Sequence, residues 1–140
     1  MKIFKFGGAS VKSAESVKHL ARILRDYQPP LIVVVSAMGK TTNALETLTD
    51  QYFNAPVSNG ESPLKANPEL HRNLHNLRKH HEQIAAELFG NPAHPVLYQI
   101  HTLFEKLEEK LSSEASMDYD YEYDQIVIYG ELLSTRIVSA

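Results

Sequence analysis

The chain of 140 residues contains no cysteine and no tryptophan, and its longest uninterrupted apolar run is LIVVV at residues 31–35. Without cysteine, neither disulfides nor cysteine-ligated metal sites can form. Five apolar residues are far fewer than the roughly 20 that a membrane-spanning helix needs. The chain also lacks a basic excess, because 17 acidic residues outnumber 14 Lys and Arg and give a net charge of −3. We therefore expect neither nucleic acid nor a membrane as a partner.

The residues that are present have the composition of an ordinary globular protein, with 43% hydrophobic and 22% charged side chains. A chain of this length can form one domain with a modest core. The opening MKIFKFGGAS has no long apolar stretch of the kind that signal peptides contain. We therefore expect a cytoplasmic protein.

The first part of the chain predicts two strands. KIFKF at residues 2–6 alternates charged and apolar residues, which is typical of a strand in which Ile3 packs inward, with Phe4 and Phe6 as further candidates. LIVVVSA at residues 31–37 begins with five apolar residues, so it is apolar on both faces, which predicts a central parallel strand that helices cover on both faces.

Helices are predicted after each of these strands. The first has Ser13 as its N-cap and ends before the two prolines at 29–30, and the second runs from Asn43 to about Tyr52. An alternating order of strands and helices favours an α/β fold, with a parallel-sheet core flanked by helices.

The second half of the sequence predicts mainly helices. Residues 54–68 are polar and rich in turn formers, which indicates a loop, with Asn67 as the N-cap of the helix that follows. Apolar residues at helical spacing over 70–88 and again over 97–111 predict an antiparallel helical hairpin beside the sheet. The last segment predicts a further helix, although IVIY at 126–129 could form a short strand and Gly130 could divide the segment. The chain stops at TRIVSA without a capping signal, so we expect it to be part of a longer protein.

Gly39-Lys40-Thr41 matches the end of a Walker A phosphate loop, but the rest of that pattern is missing. The pattern requires another glycine five positions before Gly39, and Val34 stands there, inside a predicted strand. A β-branched residue does not readily adopt the positive φ that glycine supplies. The sequence is therefore not that of a P-loop protein, although the turn can still bind an anion at a helix N-terminus.

Two short segments place polar groups at the predicted strand ends. In KFGGAS, Lys5 comes near the end of the first strand, and the amides of Gly7 and Gly8 could approach phosphate oxygens closely. In SAMGKTTN, four polar residues follow the second strand, namely Ser36, Thr41, Thr42 and Asn43. The alternatives are a plain β-turn with a solvated lysine, and helix capping by Thr42 or Asn43.

Two further features have simple structural interpretations. Glu131 in YGELLS lies in an apolar setting, but most such carboxylates lie on helix surfaces. The seven histidines include His71 and His75 one helical turn apart, but HExxH is absent, and we expect no metal site. His81 falls on the apolar face of its helix, which predicts a packed histidine.

Taken together, KFGGAS, VVVSAMGKTTNAL and YGELLS resemble the motifs of aspartokinases, within the amino-acid kinase superfamily. The three occur in the family's order and spacing along the whole chain. KHHEQIAAEL is similar to a weaker family pattern. Ala9 departs from the family, which more often has threonine there and so gains a hydroxyl near the phosphates.

The resemblance implies the reaction and the roles of the residues. Aspartokinases phosphorylate the side-chain carboxylate of L-aspartate with ATP and its Mg²⁺, giving 4-phospho-L-aspartate on the route to lysine, threonine and methionine. Lys5 would be catalytic and would neutralise charge on the transferring phosphoryl group. Thr42 and Glu131 would bind the substrate, and no residue is assigned as a metal ligand. The remaining phosphate-binding residues would be Gly7, Gly8, Ser10 and Ser36.

The resemblance also implies that residues 1–140 are the N-terminal part of a single kinase catalytic domain. The remainder of that domain and the regulatory ACT domains would be absent, and we expect a homo-oligomer. The alternatives are another amino-acid kinase, the kinase half of a bifunctional aspartokinase–homoserine dehydrogenase, and a non-catalytic binding module with this fold.

Overall fold

The computed structural model describes residues 1–56 and 60–140. The described chain contains two strands, six α-helices and a short 3₁₀ helix at Gly8–Val11. In chain order the elements are β1 (Lys2–Phe6), α1 (Ala14–Arg25), β2 (Leu31–Val35), α2 (Thr41–Phe53), α3 (Pro63–Ala66), α4 (Pro68–Phe89), α5 (Pro95–Ser112) and α6 (Tyr119–Ser139).

The sheet of the described residues has two parallel strands, with Phe6 of β1 opposite Val35 of β2. Those two residues pack against the core. The other face carries Ile3, Ile32 and Val34, whose exposed fractions are 65%, 44% and 46%. The predictions that Ile3 packs inward and that β2 is covered on both faces are therefore wrong for the described chain, because its helices pack on one face only.

The helices that follow the strands begin for different local reasons. Ser13 caps α1 as predicted, and it forms a reciprocal capping box with Ser16. α2 begins at Thr41, two residues before the predicted Asn43, and its N-cap residue Lys40 provides no side-chain cap. The earlier start follows from Gly39, whose φ of +54° turns the chain directly into the helix.

The predicted helical hairpin is confirmed as α4 and α5. Asn67 caps α4 by accepting hydrogen bonds from the amides of Glu69 and Leu70, both at 3.1 Å. Gly90 ends α4 with a φ of +61°, and the ring of Phe89 stacks on His94 across the turn. The preceding stretch was predicted as a loop, but it contains the short helix α3, and positions 57–59 lie outside the described residues.

α6 is one continuous helix that passes through Gly130, so the alternative of a strand at 126–129 is wrong. Asp118 caps it by accepting a hydrogen bond from the amide of Tyr121 at 3.1 Å. The buried carboxylate of Glu122 pairs with Lys110 of α5 at 2.6 Å and accepts the amide hydrogen of Ser116 at 2.8 Å. Desolvation alone would raise the pKa of Glu122, but these hydrogen bonds outweigh it and the pKa is lowered.

The core lies between the inner face of the sheet and the helices, with α6 packed against both α2 and α5. Its largest fully buried side chains are Met38, Leu45, Leu48, Tyr52, Leu70, Ile100, Phe104, Leu107, Leu111, Ile126, Leu133 and Ile137. No helix within residues 1–56 and 60–140 combines the length and apolar character needed to cross a bilayer.

Candidate active site

The two strand ends meet at one edge of the sheet, where each continues into a loop. We call residues 7–10 the first loop and residues 36–40 the second loop. The amide of Ser36 donates to the carbonyl of Phe6 at 3.0 Å, and the amide of Gly39 donates to the carbonyl of Gly8 at 3.0 Å. The backbone therefore holds the two loops side by side, as parallel strands with a common carboxyl edge require.

The two glycines of the first loop have different surroundings. A Cβ added to Gly8 would lie 2.9 Å from the carbonyl oxygen of Ala37 and 3.0 Å from that of Gly39. A Cβ added to Gly7 would meet nothing within 4 Å. Gly8 thus permits the close packing of the loops, whereas Gly7 leaves the backbone open to an approaching ligand.

Several donors at this edge find no acceptor among the residues that the structure describes. The amides of Gly7 and Gly8 make no turn or inter-element hydrogen bond in the described part of the chain. Ser10 is exposed, although its amide donates to the carbonyl of Gly7 at 2.9 Å. Lys5 is also exposed, and it forms none of the ion pairs found among residues 1–56 and 60–140. Open amides at the end of a strand can bind an anion, and Lys5 lies two residues before them in β1.

α6 brings the third motif to the second loop. A Cβ added to Gly130 would lie 2.8 Å from Cβ of Ala37, so the helix backbone lies directly against this loop. Ser134 donates from its hydroxyl to the carbonyl of Ser36 at 2.6 Å. Glu131 lies between these two contacts in sequence and is exposed. Glu131 therefore lies on the surface of α6, as the structural interpretation of its sequence predicts.

The candidate residues divide into two groups, one in the loops and β1 and the other, Thr42 and Glu131, on helices α2 and α6. Gly7, Gly8, Ser10 and Ser36 lie in the paired loops, and Lys5 lies in β1 two residues before them. Thr42 is exposed in the first turn of α2, next to Thr41, whose methyl group would be 3.4 Å from a Cβ at Gly130. No side-chain hydrogen bond or ion pair joins the two groups within the described residues. The packing of α2 and α6 against each other and of α6 against the second loop relates the two groups.

Two residues that contribute to this arrangement lie in the quoted motifs, but no role in the site is predicted for them from the sequence. Ser134 is fully buried and anchors α6. Thr41 is 3% exposed, and its hydroxyl lies 3.4 Å from Nε2 of His81 in α4. Ser134 could have been found in the sequence, because it follows Gly130 by four residues and therefore lies on the same helical face.

His81 is packed, as predicted, and its hydrogen bonds define its protonation. Its Nδ1 lies 2.9 Å from the carbonyl of Leu77. A carbonyl can only accept, so Nδ1 carries the proton and Nε2 accepts from the hydroxyl of Thr41. Burial lowers the pKa of His81 to about 4, with a further decrease from the neighbouring His80. His81 is therefore neutral at pH 7.

Metal ligands do not cluster in the described part of the chain. No group of three or more His, Asp or Glu residues there could hold a metal ion. His101 instead forms an ion pair with Glu105 when protonated, at 3.0 Å on the surface of α5.

Comparison with known proteins identifies the family. The model of the amino acid kinase family matches residues 1–140. The chain belongs to this family. This amino acid kinase chain is 34% identical over 141 residues to the chloroplastic aspartokinase 1 of Arabidopsis thaliana. The alignment covers 99% of the chain and 22% of the relative.

A bacterial relative aligns over fewer residues but with a higher sequence identity. An aspartokinase of Geobacillus stearothermophilus is 49% identical over 55 residues, which are 37% of the amino acid kinase chain and 14% of the relative. The resemblance to aspartokinases that the motifs predicted is thus confirmed.

Solved structures show the same fold. Aspartokinase III of E. coli in complex with aspartate and ADP has a TM-score of 0.76 at 24% identity, covering 99% of the amino acid kinase chain and 28% of that protein. The aspartate kinase of Clostridium acetobutylicum has a TM-score of 0.66 at 18% identity. The match covers 100% of this chain and 30% of that protein. The predicted α/β fold is confirmed. The chain spans about a quarter of the length of these relatives.

Proposed function

We propose that this chain forms the N-terminal part of an aspartokinase catalytic domain. The protein that carries it would transfer the γ-phosphoryl group of ATP to the side-chain carboxylate of L-aspartate. The observation that supports this most is the meeting of three aspartokinase-like segments, namely the two loops and the turn of α6 from Gly130 to Ser134, at one edge of the sheet. We place the enzyme in the cytoplasm, as a homo-oligomer in amino-acid biosynthesis.

The phosphate groups of ATP would bind at the first loop. The open amides of Gly7 and Gly8 suit phosphate oxygens, and the hydroxyls of Ser10 and Ser36 extend the same edge. Lys5 brings the positive charge that phosphoryl transfer requires, since this chemistry depends mainly on positioning and charge stabilisation. Mg²⁺ would enter with ATP and neutralise phosphate charge. The described residues contain no three-ligand cluster for it, and we assign no protein ligand.

L-aspartate would bind on the α6 side of the second loop. Glu131 would pair with its ammonium group, and Thr42 would donate or accept a hydrogen bond at the first turn of α2. A carboxylate oxygen of aspartate then bonds to the γ-phosphorus while the bond from this phosphorus to the bridging oxygen of ADP breaks. The nucleophile is already ionised at pH 7, so the reaction needs no general base.

The test of this function uses a chimera in which residues 1–140 replace the matching 141 residues of the Arabidopsis aspartokinase 1. We expect aspartate-dependent release of ADP. Lys5→Ala should lower kcat by about 100- to 1000-fold, because one stabilising charge at the transition state is lost. The control is Lys2→Ala in the same strand, since Lys2 lies over the ring of Tyr27.

Two results would contradict the proposal. A kcat of Lys5→Ala within a few-fold of the unsubstituted chimera would remove Lys5 from catalysis. Release of ADP with glutamate or N-acetylglutamate but not with aspartate would indicate another member of the amino acid kinase family.

A further inference from the structure

Helix α6 is fixed to the second loop by a hydrogen bond from a buried hydroxyl to the carbonyl of a half-buried residue. Ser134 is fully buried, and its hydroxyl donates to the carbonyl of Ser36 at 2.6 Å across 98 positions of the chain. Removing the hydroxyl of Ser134 would take this partner away from the carbonyl of Ser36, whose residue is only half-buried.

A second contact lies one turn earlier on the same helical face. The backbone at Gly130 approaches so closely that an added Cβ would lie 2.8 Å from Ala37, 3.2 Å from Leu45 and 3.4 Å from Thr41. This contact sets the separation between α6, the second loop and α2. The hydroxyl of Ser134 sets the rotation of α6, because it must point at one carbonyl oxygen.

The second loop is held from its other side as well. The carbonyl of Gly8 accepts the amide hydrogen of Gly39, and a Cβ at Gly8 would meet the carbonyl oxygens of Ala37 and Gly39. The second loop therefore contacts both the first loop and α6. Its geometry relates the phosphate side of the proposed site to the substrate side.

We infer that Ser134 is a positioning residue, which holds Glu131 at a defined place relative to Ser36 and Thr42 and does not itself touch the substrate. Glu131 precedes Ser134 by three residues on α6, so a rotation of the helix moves its carboxylate directly. The inference rests on the proposed function, in which Glu131 binds the ammonium group of aspartate.

The first test measures Ser134→Ala in the chimera described above. We expect KM for aspartate to rise about ten-fold, because Glu131 is then held less precisely, with KM for ATP and kcat at saturating aspartate within about two-fold. Ser134→Cys, which keeps a weak donor of similar size, should recover part of the loss. Thr135→Ala is the control, because it removes an exposed hydroxyl from the adjacent position.

The second test is a double-mutant cycle with Glu131→Gln. If Ser134 acts through Glu131, then Ser134→Ala should change KM for aspartate by less than about two-fold once Glu131 is glutamine. Full additivity of the two effects would overturn the inference. So would a Ser134→Ala enzyme whose kcat falls while KM for aspartate is unchanged.

The third test uses the 140-residue chain and is independent of activity. In Ser134→Ala, amide hydrogen exchange should accelerate in residues 36–42 and 130–134 more than in α5. A uniform acceleration would mean that Ser134 contributes only to global stability, and the inference would fail. Failure of the proposed function looks different, because the unsubstituted chimera would then release no aspartate-dependent ADP while the exchange pattern still decides the role of the Ser134 contact.

Discussion

At the scale of single residues, Glu131 is the side chain that we propose to bind the ammonium group of aspartate. It is exposed, and its carboxylate makes no hydrogen bond or ion pair in the described part of the chain, so it is available to a ligand. A charge-assisted hydrogen bond is worth roughly 1.5–3 kcal/mol, so Glu131→Gln should raise KM for aspartate by about 10- to 100-fold. KM for ATP should stay nearly constant in the same steady-state measurements on the chimera.

The matched control for this change is Asp124→Asn, which neutralises another exposed carboxylate on α6. An equal effect of the two substitutions would point to a general effect of charge. An unchanged KM in Glu131→Gln would assign Glu131 to the helix surface alone.

The protonation of His81 should make the free energy of unfolding depend on pH. Its pKa is about 4 in the folded chain, against a usual value of 6.5. As the pH falls below 6.5, the imidazole of His81 is protonated in the unfolded chain before it is protonated in the folded chain. The contribution of neutral His81 to the free energy of unfolding is therefore fully present above pH 6.5 and is lost as the pH falls towards 4. The free energy of unfolding should decrease by about 1.4 kcal/mol between pH 7.5 and 5.5.

Denaturant unfolding at several pH values measures this effect. His81→Gln should lack this part of the pH dependence, whereas His75→Gln, an exposed change on the same helix, should keep it. Equal slopes for His81→Gln and the unsubstituted chain would mean that the buried imidazole is not the group responsible.

At the scale of elements, the packing of α6 against the second loop depends on the absence of a side chain at Gly130. Gly130→Ala should lower the free energy of unfolding by about 1–2 kcal/mol, because overpacking typically costs 1–3 kcal/mol and the better helix propensity of alanine offsets part of it. Thr135→Ala gains helix propensity without crowding and should be neutral or slightly stabilising.

Adding Ala37→Gly to Gly130→Ala removes the closest atom, 2.8 Å from the new Cβ, and should recover part of the lost stability. If the double variant is no more stable than Gly130→Ala alone, then the close approach to the second loop is not the cause of the destabilisation.

The elements also differ in how well the sequence predicts them. Helices α1, α4 and α5 follow from Ser13, Asn67 and Pro95, whose capping and N1 preferences are local properties of the chain. The start of α2 was misplaced because the left-handed turn at Gly39 and the tertiary contacts of Thr41 decide it. The continuity of α6 through Gly130 was equally undecided, since a glycine in a helix is favourable only where a neighbour needs the space.

At the scale of the whole molecule, the bare sheet face should govern the behaviour of the isolated 140 residues. Ile3, Ile32 and Val34 form an exposed apolar strip, and such surfaces favour association. We expect a partly or fully folded chain that forms dimers or larger oligomers in light scattering. Ile32→Thr with Val34→Thr should reduce association, whereas Ile128→Thr, at an exposed position of α6, should not.

The isolated chain should also lack aspartate kinase activity. Its described residues offer hydrogen-bond donors for phosphate only on exposed loops, where each ionic contact contributes little binding free energy. In addition, the chain spans about a quarter of the length of its relatives. Calorimetry with ATP and a coupled assay for ADP release measure this directly. Micromolar affinity for ATP, or any aspartate-dependent ADP, would contradict the expectation.

The sequence by itself determined the alternation of strands and helices, the N-caps of α1 and α4, and the family, because these depend on local preferences and on short motifs in a fixed order. Only the tertiary structure decided which sheet face is bare, that Gly8 and Gly130 serve close backbone approach, and that the hydroxyl of Ser134 donates to the carbonyl of Ser36. The reason is physical: periodicity predicts which side of an element is apolar, but burial and close contact depend on what packs against that side.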